Sequence, residues 1–132
     1  TRMAFNPSVG YHHAHRDAAS GFCYVNDVAL ACELLSRAGK RVFYLDVDVH
    51  HGDGVQDFFY DRNDVFTLSI HESGQTLFPG TGFEDELGVD AGRGFAANLP
   101  LPVGTYDGAY RKAFFELVPP LVQAFGPDVL VV

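Results

Sequence analysis

Apolar and polar positions along the chain switch repeatedly between two periods. Over residues 26–38, Val28, Ala31, Cys32, Leu34, Leu35 and Ala38 recur at helical spacing; Asn26 or Asp27 is placed to cap the start and Gly39 to end it. The next segment, "RVFYLDVDV", is short, rich in β-branched and aromatic residues, and apolar on both faces at its start, as expected of a strand covered on two sides in a parallel sheet. "GVQDFFYD" predicts a short helix, and "DVFTLSIHE" a second strand that ends, like the first, close to a histidine, here His71. A glycine-rich irregular stretch over 72–94 follows. "FAANLPL" then predicts a strand, "YDGAYRKAFFELV" a helix interrupted at Pro119 and Pro120, and "DVLVV" a further strand. Helices alternating with short apolar strands define an α/β architecture: a parallel sheet with flanking helices. In such sheets ligands bind beyond the carboxyl ends of the strands, where loops converge.

Composition narrows the picture without changing it. The 132 residues fit one ordinary domain, and a 47% hydrophobic, 20% charged composition excludes disorder and fibrous repeats. A formal charge of −8, with nine basic side chains scattered along the chain, argues against nucleic acid as a partner. Cys23 and Cys32 form no C-x-x-C motif and suggest no disulfide framework; with no signal-peptide pattern they point to a cytoplasmic protein. No apolar run reaches the length of a membrane span, so no membrane partner is expected. The chain opens in mid-phrase with "TRMAFNPSVG" and stops at "PDVLVV", an apolar run that looks like a buried strand, so it is expected to be an internal piece of a longer protein, one partial domain over residues 1–132.

The chemistry gathers where the first strand ends. "YLDVDVHHGDG" crowds Asp46, Asp48, His50, His51 and Asp53 into a few positions. Alternation along an extended strand places Asp46, Asp48 and His50 on one face, and carboxylate oxygen with imidazole nitrogen suits a borderline divalent metal such as zinc. A lone D-x-H is more often a cap or a surface pair, but this cluster is denser than capping requires. Upstream, "GYHHAHRDAASGF" crowds His12, His13 and His15. Adjacent histidines in extended backbone point apart, so His12 and His13 serve one site only if the chain turns there, which Gly10 can allow. Imidazoles beside a metal are natural proton-transfer groups, with Asp46 and Asp53 available to orient them.

Four motifs, "HHAHRDAASGFCYVNDVALA", "YLDVDVHHGDGVQDFFY", "TLSIHESGQTLFPGTG" and "GRGFAANLPLPVGTYD", resemble in that order the zinc-dependent histone deacetylase superfamily, most closely its bacterial acetoin-utilisation branch. The resemblance implies the three-layer arginase/deacetylase-like fold and hydrolysis of the acetyl amide of acetylated lysine. It implies zinc held by Asp48 and His50, with a third protein ligand and an oxyanion-steadying tyrosine outside this chain. It assigns His12 and His13 as the catalytic tandem histidines, Asp46 and Asp53 as their carboxylate partners, and Gly21, Phe22 and Phe78 as walls of the substrate tunnel. It also implies a potassium site at Asp46, Asp48, His50, Ser69 and Ile70. The expected partner is an acetyl-lysine protein or a small acetylated amine. By itself the chain is expected to bind zinc poorly and to lack robust activity. Rival readings are an acetylpolyamine amidohydrolase, a catalytically silent acetyl-ligand-binding scaffold and an arginase-like ureohydrolase; the last is disfavoured because its D-x-H-x-D pattern differs from the D-x-D-x-H-H found here.

Overall fold

The computed structural model describes residues 2–132. Its elements run α1 (Asp27–Arg37), β1 (Val42–Asp46), α2 (Asp53–Phe59), β2 (Val65–Glu72), a 3-10 turn (Asp90–Gly92), β3 (Ala96–Leu101), α3 (Asp107–Phe125) and β4 (Val129–Val131). The four strands form one sheet in the order β3-β2-β1-β4, every pairing parallel, with Asp46 opposite Ser69 at the carboxyl end of the β1–β2 ladder.

All five residues of β1 are buried, and its period of two divides them between two cores. Val42 and Tyr44 face α1 and α2, where Ala29, Cys32, Val55, Phe59 and Val65 complete one cluster. Phe43 and Leu45 face α3 and pack with Phe66, Leu68, Ile70, Val118 and Phe125. The Phe43 and Phe66 rings, neighbours in register, lie stacked with centroids 4.9 Å apart. Full burial of side chains of this size contributes roughly 1.5–3 kcal/mol each, which fixes the sheet between its helical layers. The same alternation puts Asp46 on the α1/α2 side, directly beyond Tyr44.

Asn26 is the cap of α1, its side-chain oxygen accepting from Ala29 N–H at 2.9 Å. Asp27 instead accepts from the backbone N–H groups of Gly10 and Tyr11, tying down the segment that carries the histidines. Two expectations need correction. The first strand ends at Asp46 and does not extend through 49, because Asp48 N–H turns back to Asp46 Oδ1 (3.0 Å) and His50 N–H to Asp48 Oδ2 (2.7 Å). These successive side-chain turns divert the backbone from the ladder. The last helix continues through Pro119 and Pro120 as far as Phe125. Each proline removes one amide donor, yet Val118, Leu121, Val122 and Phe125 pack on the sheet to either side, and their burial outweighs a loss of about 3 kcal/mol per interior proline. Among the described residues no helix is long and apolar enough to cross a membrane.

Candidate metal centre and proton-transfer site

The site is built where β1 gives way to α2. Gly10 has a φ of 115°, and His12 N–H bonds back to Gly10 O at 2.9 Å, so the chain turns at the tandem histidines. Their rings come together with centroids 4.1 Å apart. Asn26 secures the turn from beneath through bonds to the carbonyls of His12 (3.3 Å) and Ala14 (2.9 Å), and Val55 N–H on α2 reaches His12 O at 3.2 Å.

Each histidine finds its own carboxylate. His12 Nδ1–H donates to Asp46 Oδ2 at 2.7 Å, and His13 Nδ1–H to Asp53 Oδ1 at 2.7 Å. A carboxylate only accepts, so both imidazoles carry a proton on Nδ1 here and turn Nε2 to the site. Asp46 is buried and fully engaged: Oδ2 also accepts from Tyr44 O–H at 2.6 Å, and Oδ1 from Asp48 N–H. Burial opposes the charged form of His12, but the hydrogen bond and charge of Asp46, with Asp48 and Asp53 behind it, hold its pKa above the ordinary value. Asp53 is kept below the usual carboxylate range: burial works against this, and the hydrogen bond and charge of His13 overcome it. Burial, followed by the Asp46 charge, pushes the Tyr44 hydroxyl well up, so it stays a proton donor to Asp46.

Asp48 and His50 meet at the mouth of this arrangement. Asp48 Oδ2 lies 2.9 Å from His50 Nδ1 and 3.9 Å from His12 Nε2. Burial would raise the Asp48 pKa, but the backbone and side-chain hydrogen bonds from His50 lower it. Both side chains stay accessible, at 49% and 37% exposure. Oxygen and nitrogen donors brought together on an open floor fit a borderline divalent cation. Among the described residues no third His, Cys, Asp or Glu completes a group of three arranged to hold one.

Seven of the residues singled out in the sequence, His12, His13, Gly21, Phe22, Asp48, His50 and Phe78, line a single cavity of about 250 Å³. Phe78 sets its ring edge-on to His13, centroids 5.0 Å apart, and 6.4 Å from His50. Phe22, at a φ of 64°, extends into solvent at 99% exposure. Gly21 has a φ of 53°, and a Cβ there would run into the His13 ring. Asp53 stands behind His13 and Asp46 behind His12. Ser69 and Ile70 are buried one strand away; the Ser69 hydroxyl is spent on His71 Nδ1 at 2.8 Å.

Three features escaped the sequence reading. Tyr44 is legible afterwards as the residue two before Asp46, on the same face. His15 was noticed only as part of a crowd, yet it contacts both Asp53 and Asp57. The third is a part-buried polar web beneath the Phe78 loop. In it His51 bonds Thr81 (2.9 Å) and Gln56 (3.2 Å), Gln56 bonds Glu86 (2.7 Å), Glu86 accepts from the backbone of Gly82 and Phe83, and His71 bonds Gly82 O (2.9 Å). Burial lowers the pKa of both His51 and His71, with their mutual proximity adding to the effect on His51, which keeps this web uncharged on its imidazole side.

A parallel sheet between helical layers thus carries two histidine–carboxylate couples and an oxygen–nitrogen donor pair at its carboxyl edge. The chain matches the histone deacetylase domain over residues 1–132 and belongs to that family. It is 44% identical over 129 residues to histone deacetylase clr6 of Schizosaccharomyces pombe, covering 98% of this chain and 32% of that protein. It is 46% identical over 129 residues to the acetoin utilization protein AcuC of Bacillus subtilis, covering 97% of this chain and 33% of that one. The fold superposes on the crystal structure of an HDAC homolog from Aquifex aeolicus with a TM-score of 0.91 and 42% identity, over 95% of this chain and 34% of that chain. The chain thus spans about a third of the length of the relatives it matches.

Proposed function

We propose that the full-length protein hydrolyses the acetyl amide of acetylated lysine side chains, using a zinc ion held by Asp48, His50 and a third ligand supplied outside these 132 residues. The observation that carries this reading is the convergence of the Asp48–His50 donor pair with two histidine–carboxylate couples in one cavity beneath an aromatic wall. Zinc, when bound, supplies a Lewis acid that acidifies water and polarises the acetyl carbonyl.

The chain's own residues supply the rest. His13, its Nδ1 proton given to Asp53, has Nε2 free to take the proton of the attacking water and to return it to the departing lysine amine. Asp53 orients that ring and supports the cation it becomes. His12, held toward its protonated form by Asp46, supplies positive charge and a donor where negative charge develops on the acetyl oxygen. Phe22 and Phe78 face an acetyl-lysine stem whose end is neutral; a lysine ammonium there bears a desolvation cost, which favours product release. A potassium ion beside Asp46, Asp48, His50, Ser69 and Ile70 belongs to the same reading through backbone carbonyls. Similarity of comparable size to a histone deacetylase and to an acetylpolyamine aminohydrolase leaves protein and small-molecule acetyl substrates both within the proposal.

The test is acetate release by the zinc-loaded full-length protein from an acetyl-lysine peptide, an acetylpolyamine and, as a control, urea release from arginine. Turnover of the peptide, abolished in His13→Ala, is expected. Urea release, or deacetylation that survives His13→Ala unchanged, refutes it. The 132-residue chain alone is expected to bind zinc weakly, since Asp48 and His50 fall short of the three protein ligands of catalytic zinc sites; tight stoichiometric binding in a zinc titration would overturn that part.

A further inference from the structure

His15 sits two residues past His13 and faces two carboxylates of α2. Its Nε2 lies 3.3 Å from Asp53 Oδ2, and its Nδ1 lies 3.3 Å from Asp57 Oδ2. A neutral imidazole has one donor and one acceptor nitrogen, and an acceptor nitrogen set against a carboxylate oxygen is repulsive. Both contacts are attractive only when both nitrogens carry protons, so the arrangement favours an imidazolium. The carboxylates themselves call for one. Asp53 and Asp57 are four residues apart on one helical face, where like charges destabilise each other, and a cation between them reverses the sign of that interaction. The pKa of His15 agrees in direction: partial burial opposes the charge, and the hydrogen bond and charge of Asp57, with the charge of Asp53, raise it.

The segment around His15 is tied down by several contacts. His15 N–H closes a turn onto Ala18 O at 2.9 Å, Asn26 holds the Ala14 carbonyl, and Arg16 bonds Phe58 O at 3.0 Å while lying over the Phe58 ring. Asp53 therefore has a partner at each oxygen, a hydrogen bond from His13 at Oδ1 and a charge contact with His15 at Oδ2. A carboxylate held at one oxygen can still swing about its terminal torsion; one held at both cannot.

We infer that His15 is a positioning residue that, bridged to Asp57, locks the Asp53 carboxylate in the orientation that aims His13 at its substrate. This rests on the proton-transfer role proposed for His13, but the lock itself is a matter of His15, Asp53 and Asp57. Nothing requires His15 to touch substrate.

The experiment uses the zinc-loaded full-length protein and the variants His15→Ala and His15→Lys, the latter restoring a cation on a flexible stem. His15→Ala is expected to lower kcat for an acetyl-lysine peptide about 10-fold, the range for losing an outer support of a catalytic group, with KM within about 2-fold of wild type. His15→Lys is expected to recover most of the loss. A second readout needs no activity: the downfield NMR resonance of the His13 Nδ1 proton, sharp while Asp53 is fixed, is expected to broaden or shift in His15→Ala and to return in His15→Lys. Wild-type kcat together with an unchanged resonance in His15→Ala overturns the inference. So does a loss of kcat that tracks a lowered melting temperature and is not rescued by lysine, which marks a merely structural role. If the wild-type protein deacetylates nothing, the proposed function fails, and the resonance alone still decides whether His15 holds Asp53.

Discussion

Replacing Gly21 by alanine isolates one contact on which the proposed chemistry depends. The residue has a φ of 53°, so any side chain there bears the left-handed backbone penalty of about 1–2 kcal/mol. It also lies against His13: a Cβ built on Gly21 falls 2.6 Å from His13 Cγ and 2.8 Å from His13 Cβ, and closer still to Cδ2. Ordinary carbon contacts begin near 3.5 Å, so the ring must retreat by about 1 Å. A displacement of that size breaks the 2.7 Å bond to Asp53 and misaligns the base, for which a loss of about 100-fold in kcat is a reasonable scale. Gly39, after α1, supplies the control: its φ is 77° and nothing lies within 4 Å of a Cβ placed there. Gly39→Ala therefore carries the same backbone penalty without the collision. Urea unfolding of the full-length protein is expected to show about 1–2 kcal/mol of destabilisation in Gly39→Ala and more in Gly21→Ala, which adds the collision. Deacetylation of an acetyl-lysine peptide is expected to collapse only in Gly21→Ala. Normal turnover in Gly21→Ala, or equal loss in Gly39→Ala, refutes the reasoning.

Further outcomes follow from other parts of the molecule. Asp53→Asn, which leaves a neutral amide facing His13, is expected to cut kcat by about 100-fold with little change in zinc affinity, read by steady-state kinetics alongside chelator competition. Asp48→Ala and His50→Ala are each expected to weaken zinc binding by at least about 100-fold in the same competition, since each removes a proposed direct ligand. Ile70→Ala empties a fully buried position in the α3 core and is expected to destabilise by about 2–5 kcal/mol in urea unfolding. Acid stability depends in part on Asp64, whose pKa the Arg62 hydrogen bond, opposed by burial and aided by Ser36, lowers from 3.8 to about 2. Because the folded value lies below the unfolded one, its contribution is whole above about pH 4 and disappears as pH falls toward about 2; at 38% exposure it is discounted to about 1 kcal/mol. Urea midpoints of wild type and Asp64→Asn should differ at pH 5 and converge only as pH falls through about 2.

The architecture was legible because local signals agreed. Val42, Phe43, Tyr44 and Leu45 are apolar on both faces and sit between helical stripes, a combination that only a two-sided parallel strand satisfies. Where reading failed, a longer-range term decided. Pro119 and Pro120 are local stop signals, and the packing of Val118 and Phe125 on the sheet overrode them. Hydrophobic alternation continues past Asp46 through Val47 and Val49, while the turns made by the Asp46 and Asp48 side chains, which end the strand, depend on rotamers that a pattern of residue types does not encode. Asp46, Asp48, His12 and His13 could be marked as chemistry by type and density. Which carboxylate serves which imidazole could not, since those pairs join residues 34 and 40 positions apart. His15 shows the same limit: its partners lie 38 and 42 positions away, across the turn into α2.

The strand order has a consequence for biosynthesis. Asp48 and His50 lie just past the tip of β1, yet the neighbour on that strand's other edge, β4, begins at Val129, 87 residues beyond Val42 and on the far side of α3. As the polypeptide leaves the ribosome, β1 can zip to β2 early, but its other edge stays bare until α3 and β4 have been made, because long loops close late. Until then Asp48 and His50 follow a strand that has only one of its two neighbours in place.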